Sequence, residues 1–256
     1  MNCRFFLLFF LTGILLTSCA VKPLKKEEVK ERTQLLRGKL SSFNERINTL
    51  QGEGILIYKE KDQAKSFRYS VFADQKTSNF RLDLYDFVFK KPLVSIVKSN
   101  YQVTAVVYFK KVYYRTIYER LDMKILTGID IPEDILRNSL MGMVYYPENP
   151  SKVYAEGCCS IHFESNSMTQ NIVFNDQLFP KNIDYVWPEH FLSINFNNYS
   201  VHDTEPFPEK IKLSSENSAV SVEINYRKLT LNGVLEKDNF NIDPQILSRY
   251  TRAYIN

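Results

Sequence analysis

The residues with the most definite chemistry stand near the start of the chain. Leu16-Thr17-Ser18-Cys19 puts a leucine three residues ahead of a cysteine, with small residues before the cut. In such an arrangement the Cys19 thiol takes a diacylglycerol, and cleavage before it frees an amine for a further acyl chain. Two or more chains hold a protein stably on a bilayer, where a single one binds only marginally. Upstream, Arg4 forms a short positive region, and Phe5 to Leu16 is an apolar run of twelve broken by Thr12 and Gly13. A span of ~30 Å of hydrocarbon needs ~20 residues, so the run is too short to cross and suits an export signal. The alternative is an ordinary secretory signal with a chance cysteine. The lipid reading divides the chain into a signal peptide (1–18), a lipidated Cys19 with a flexible tether (19–33) and a folded domain (34–256).

Little else in the sequence offers reactive chemistry. Cys3 leaves with the signal, so Cys158 and Cys159 remain. Neighbouring cysteines bond only through a distorted eight-membered ring, and on a strand they point to opposite faces. Free thiols are the expectation. His162, His190 and His202 lack the i, i+4 partner of a zinc helix, and no C-x-x-C is present. Neither a nucleophile elbow nor a phosphate-cradling glycine loop occurs. No cofactor, no metal and no enzymatic activity are expected. A buried Ser-His-acid trio within roughly 2.6–3.2 Å would overturn that.

The charge is a matter of place. The formal net charge is +4. Segment 22–39 holds seven basic and three acidic residues, while 40–256 holds 25 basic and 26 acidic. The folded body is therefore near neutral, and no nucleic-acid partner is expected. The basic stretch beside a lipid suits anionic headgroups, or serves as a solvated spacer. Residues 20–33 as a flexible linker would reach roughly 20 Å.

The elements that must position any site follow from periodicity. Leu36, Leu40, Phe43, Ile47 and Leu50 recur at 4-3-4-3 spacing, which predicts a helix over 34–50. Six strands follow without helices between them: 54–60, 66–73, 80–85, 93–98, 101–109 and 111–118. This is the pattern of an antiparallel meander. A short helix is then expected over 118–126, and a second opens at Pro132 and stops at Gly142. Strands resume at about 152–156, 159–164, 169–175, 182–187, 190–196, 209–214, 219–225 and 227–232. Helices must then cover one face of a curved sheet. The 14% of aromatic residues suits the lining of such a surface.

These segments resemble, in order and type, the LolB family of outer-membrane lipoproteins. The resemblance rests on Asn79-Phe80-Arg81-Leu82-Asp83-Leu84, on Leu126-Thr127-Gly128-Ile129-Asp130-Ile131-Pro132 and on the helix from Ile135 to Gly142. Pro208 and the closing strands add to it, and it covers about 34–233. It implies a mainly β fold with helices, an incomplete antiparallel β-barrel covered by a helical lid over an apolar cavity. It also implies a monomeric receptor on the periplasmic face of the bacterial outer membrane. Such a receptor takes acylated lipoproteins from a periplasmic LolA-like carrier and holds their acyl chains. A lipoprotein of the same fold that binds another lipid or amphiphile, or a structural envelope lipoprotein, are the alternatives.

Phe67, Tyr69, Phe80, Leu82, Val103 and Leu136 are the cavity and lid candidates, each equally compatible with dry core. The family's protruding loop corresponds to Asp86–Lys91, which lacks the family's Pro-Leu-Gly. Its apolar tip, Phe87, Val88 and Phe89, with Lys90 and Lys91 beside it, is the candidate membrane-insertion loop. Residues 233–256 form a C-terminal extension, expected to dock on the barrel as a strand or helix.

Overall fold

The computed structural model describes residues 26–117, 131–215 and 220–253. The first helix, α1, runs Lys26–Glu45. Glu27 and Glu28 in its first turn suit the positive helix end, and the stripe Leu36, Leu40 and Phe43 is buried. It starts eight residues before the expected boundary, so residues 26–33 are helical. At its other end, Ile47 and Leu50 lie beyond the helix yet remain buried.

Fourteen strands form one sheet. The first six are β1 (Thr49–Glu60), β2 (Gln63–Asp74), β3 (Asn79–Asp86), β4 (Pro92–Ser99), β5 (Gln102–Val107) and β6 (Val112–Ile117). Helix α2 (Glu133–Leu140) follows. The second series is β7 (Lys152–Glu156), β8 (Ser160–Glu164), β9 (Thr169–Phe174), β10 (Pro180–Val186), β11 (Phe191–His202), β12 (Glu205–Ser215) and β13 (Val220–Leu231). The chain closes with α3 (Pro244–Arg249) and β14 (Thr251–Ala253). The order across the sheet is β14-β6-β5-β4-β3-β2-β1-β13-β12-β11-β10-β9-β8-β7. Every pair is antiparallel except β14 with β6.

The sheet curls without closing, as expected of an incomplete barrel. Two meanders meet where β1 pairs β13, and the register slips between Glu53 and Gly54. A Cβ on Gly54 would stand 2.0 Å from the Asn225 carbonyl oxygen, so glycine alone permits this close approach. Helix α2 lies on the concave face. Pro132 begins it, and Gly142 ends it at φ +65, where a Cβ would press on Phe207 at 2.7 Å. The helix expected over 118–126 and the segment Leu126–Asp130 lie outside the described residues.

Helix α1 closes one end of the curl. Arg32 Nε donates to the Cys158 carbonyl in the β7–β8 turn, and Thr33 Oγ1 accepts from the Ala155 amide. Farther along, Phe43 packs on Phe179 and Tyr199, with the Arg46 guanidinium 4.1 Å from its ring centre. The extension docks as a strand and as a 3-10 turn over Lys237–Phe240. β14 pairs with the β6 edge, and Phe240 is buried. Arg81 on the convex face donates to the Asn241 carbonyl at 3.0 Å and is itself paired with buried Asp83. The β6 edge is thereby extended by β14, and α1 packs on the β7 edge.

Candidate functional site

Between α2 and the concave sheet lies a cavity of about 470 Å³. That is within the range of roughly 300–1,000 Å³ in which proteins enclose small ligands. Its wall follows from the period of two. Leu56 and Tyr58 on β1 stand beside Phe67 on β2, Leu82 and Leu84 on β3, and Val94 and Ile96 on β4. Leu213, Val222 and Ile224 complete the wall from β12 and β13, and Leu136 and Leu140 of α2 form the roof. Among the described lining residues only Lys65 brings a charge. An interior so apolar offers nothing to a polar solute and suits hydrocarbon.

The six cavity candidates divide by depth. Phe67, Leu82 and Leu136 line the space. Tyr69, Phe80 and Val103 share the same sheet face but sit nearer the α1 end, within packed core. Tyr69 meets the Tyr226 ring edge-on at 5.5 Å, and burial pushes both phenols far above their ordinary pKa. Tyr226 Oη donates to the Leu140 carbonyl, tying the sheet to the end of α2.

A buried ionic latch holds the other end of α2. Lys98 of β4 donates to Glu133 at 3.0 Å, and its side chain is 8% exposed against 4% for the carboxylate. Arg137 Nε faces Glu133 Oε1 at 3.5 Å, and its guanidinium reaches Asp134 at 3.1 Å. Burial raises the Glu133 carboxyl above its ordinary range, and Lys98 and Arg137 counteract this only in part.

The cavity opens at the end away from α1. In a meander, alternate connections share an end, so the β1–β2, β3–β4 and β5–β6 turns stand together there. The β3–β4 turn carries Phe87, Val88 and Phe89, and Val88 and Phe89 are 71% and 75% exposed. It is a built tip. Asp86 Oδ1 accepts from the Val88 and Phe89 amides, and Lys90 takes a positive φ of 55. Arg68 covers Phe87 at 5.6 Å and Lys91 approaches the Phe89 ring at 6.0 Å. Cys19 lies outside the described residues.

The sequence missed Phe109. Its alternation with Val107 placed it on a strand face, but β5 ends at Val107. Residues Tyr108–Lys110 form a 3-10 turn, which leaves Phe109 67% exposed while it still lines the cavity. The paired lysines that follow it were the available signal of a turn.

A Ser-His-acid trio does exist, at Ser200, His202 and Glu209. Ser200 Oγ lies 2.6 Å from Glu209 Oε1 and 2.7 Å from His202 Nε2, with His202 Nε2 3.0 Å from the same carboxylate oxygen. A catalytic relay needs the imidazole between the other two, one ring nitrogen to each. Here serine and carboxylate meet the same nitrogen, and the hydroxyl donates to the carboxylate instead of being drawn by the base. The trio is partly exposed and belongs to the β11–β12 hairpin, away from the cavity lining. The Ser200 bond and the histidine lower the Glu209 pKa. Cys158 and Cys159 are free thiols with sulfurs 2.9 Å apart. Among the described residues no cluster of ligating side chains could hold a metal, and no helix is long and apolar enough to cross a membrane.

No protein-family model and no curated protein matches the sequence. Solved structures do match in fold. A LolA superfamily protein from Nitrosomonas europaea superimposes with a TM-score of 0.55 at 12% identity, over 82% of this chain and 98% of that one. A domain from Vibrio parahaemolyticus, described as one of outer-membrane lipoprotein sorting, gives 0.58 at 12%, over 88% and 100%. A DUF1329 family protein from Desulfovibrio piger gives 0.55 at 9%, over 83% and 97%. The chain thus shares its fold with these structures.

Proposed function

We propose that this protein is a lipid-anchored acceptor of acyl chains in the bacterial envelope. In this reading it takes acylated lipoproteins from a periplasmic LolA-like carrier and passes them into the outer membrane. The observation that carries the reading is the apolar cavity under α2, open at the end where Phe87, Val88 and Phe89 project. Three chains of about fifteen methylenes bury ~36 kcal/mol at ~0.8 per CH₂, so they need an apolar route across water. An acceptor need only bind slightly better than its donor, because a ligand moves by the difference in affinity. The Cys19 lipid keeps the domain at the membrane, and Lys90 and Lys91 meet lipid phosphates as the tip inserts.

The volume of the cavity supports a second reading. About 470 Å³ suits one chain better than three, so the same fold could carry a single-chain amphiphile. The test is binding of an environment-sensitive fluorescent fatty acid to the purified protein, with Leu84→Trp to fill the wall. Binding to the parent protein, weakened about tenfold by the substitution through loss of a few buried methylenes, is the expected result. No binding to the parent protein would refute both readings. Depletion in the native cell separates them: lipoproteins accumulate on their carrier under the first and not under the second.

A further inference from the structure

The end of the molecule that bears the cavity mouth carries a second aromatic-lysine tip. Phe109, Lys110 and Lys111 occupy the β5–β6 turn, two strands from the Phe87–Lys91 tip and on the same end of the sheet. Strands are ~4.8 Å apart, so the tips stand roughly 10 Å from each other. They share one construction. In each, an exposed phenylalanine has a lysine ammonium about 6 Å from its ring, Lys91 at 6.0 Å on Phe89 and Lys110 at 5.9 Å on Phe109. In each, a lysine at positive φ turns the chain, Lys90 at 55 and Lys111 at 53.

The second tip is braced from behind. The Lys111 amide donates to the Tyr108 carbonyl, and the Lys111 carbonyl accepts from the Thr251 amide of β14. Tyr108 Oη meets Ser95 Oγ at 3.1 Å, and its ring packs edge-on against Tyr250. The C-terminal extension thereby holds this turn in place. The turns with their flanking strand ends at 59–65, 86–91 and 108–111 together carry seven lysines against three carboxylates, on a domain near neutral as a whole. Clustered cations beside exposed aromatic rings match an anionic bilayer surface, where each lysine contributes attraction and the rings settle at headgroup depth.

We propose that Phe109, Lys110 and Lys111 form a second membrane contact, so that the cavity mouth is held on an anionic bilayer by two tips and Phe109 is its threshold. Phe109 both lines the cavity and faces outward, so a chain passing it moves from protein wall to lipid without crossing water. The purpose of this contact rests on the acyl-binding reading; the contact itself can be measured without it.

The experiment uses the mature lipidated protein in vesicles of phosphatidylcholine and phosphatidylglycerol, in a Trp187→Phe background. Single tryptophans are introduced by Phe89→Trp, Phe109→Trp and, at the opposite end, Val201→Trp. Brominated lipid is placed in the same vesicles or in added acceptor vesicles. Quenching at positions 89 and 109, in either arrangement, and none at 201 is expected. Lys110→Gln with Lys111→Asn, the asparagine tolerating positive φ, should lower the inserted fraction at 109 about fivefold per lysine in anionic vesicles. Quenching at 89 without quenching at 109 would overturn the second contact and leave the first tip standing. Silence at both positions, with fatty-acid binding intact, would overturn the membrane edge and leave the cavity reading standing.

Discussion

The two ends of the curled sheet use the same residue types in opposite ways. At the α1 end, Phe43, Phe179 and Tyr199 pack tilted and edge-on against one another beneath Arg46, and Phe43 is buried. At the mouth, Phe87, Phe89 and Phe109 project outward, each with a cation near its ring. An arginine over a buried cluster closes a core. A cation beside an exposed ring, Arg68 at Phe87 or a lysine at Phe89 and Phe109, leaves that ring available to another apolar phase. The difference teaches that aromatic content here divides into a structural share and an outward share, and that the helix crossing one end decides which is which.

The contrast can be broken by substitution. Phe43→Ala should cost about 4 kcal/mol in chemical denaturation, since it empties packed core, whereas Phe89→Ala should stay within about 0.5 kcal/mol. Equal costs would mean the two ends do not differ. Next in size is the latch near the closed end of β4. Lys98→Ala should cost about 3 kcal/mol, because Glu133 keeps its burial and loses its nearest cation. Lys98→Met with Glu133→Gln should recover most of this; an additive double variant would show that the pair is not coupled.

The smallest effect is a slope. Burial raises the Glu133 carboxyl, so the folded state holds that proton more tightly than the unfolded one. The contribution is fully present below the unfolded value of ~4.3 and is lost as pH rises through the folded pKa. Relative to the parent protein, Glu133→Gln should therefore gain stability as pH climbs through that window. A flat difference between the two across the window would remove the raised pKa from the account.

The ends also bear on the anchor. If Cys19 carries the proposed lipid, that lipid would lie seven residues ahead of α1, at most about 25 Å of extended chain. The helix enters beside the β7–β8 turn, at the end away from the tips, and the twelve residues of β1 measure roughly 40 Å. On the proposed function, anchor and tips would share one bilayer only with the strands oblique to it, and an upright domain would present its tips to a second membrane.

Much of the fold was legible because alternation is a local property. Phe80, Leu82 and Leu84 read as one face of a strand, and the structure keeps them on one face. What alternation lacks is depth. Phe80 sits toward α1 and is core, while Leu82 and Leu84 line the cavity. The same limit explains Tyr69 and Val103 against Phe67. The Phe87–Phe89 turn was legible because three bulky apolar residues between strands have no partner in the pattern. Phe109 was not, since it stands in phase with its strand and only the paired lysines after it hint that the strand has ended.

The sequence by itself determined two runs of strands on either side of α2, the buried faces of β2 and β3, the stop of α2 at Gly142 and the neutrality of the folded body, although the strands expected at 219–225 and 227–232 are one continuous β13. These depend on side chains only a few positions apart and on simple composition. Tertiary structure alone decided that a bulge at Gly54 curls two meanders into one incomplete barrel and that α1 closes its far end. It also decided that Ser200, His202 and Glu209 meet at a single nitrogen, and that two distant turns stand side by side at the mouth. Each of these requires residues remote in sequence to be brought within a few ångströms, and periodicity carries no record of that approach.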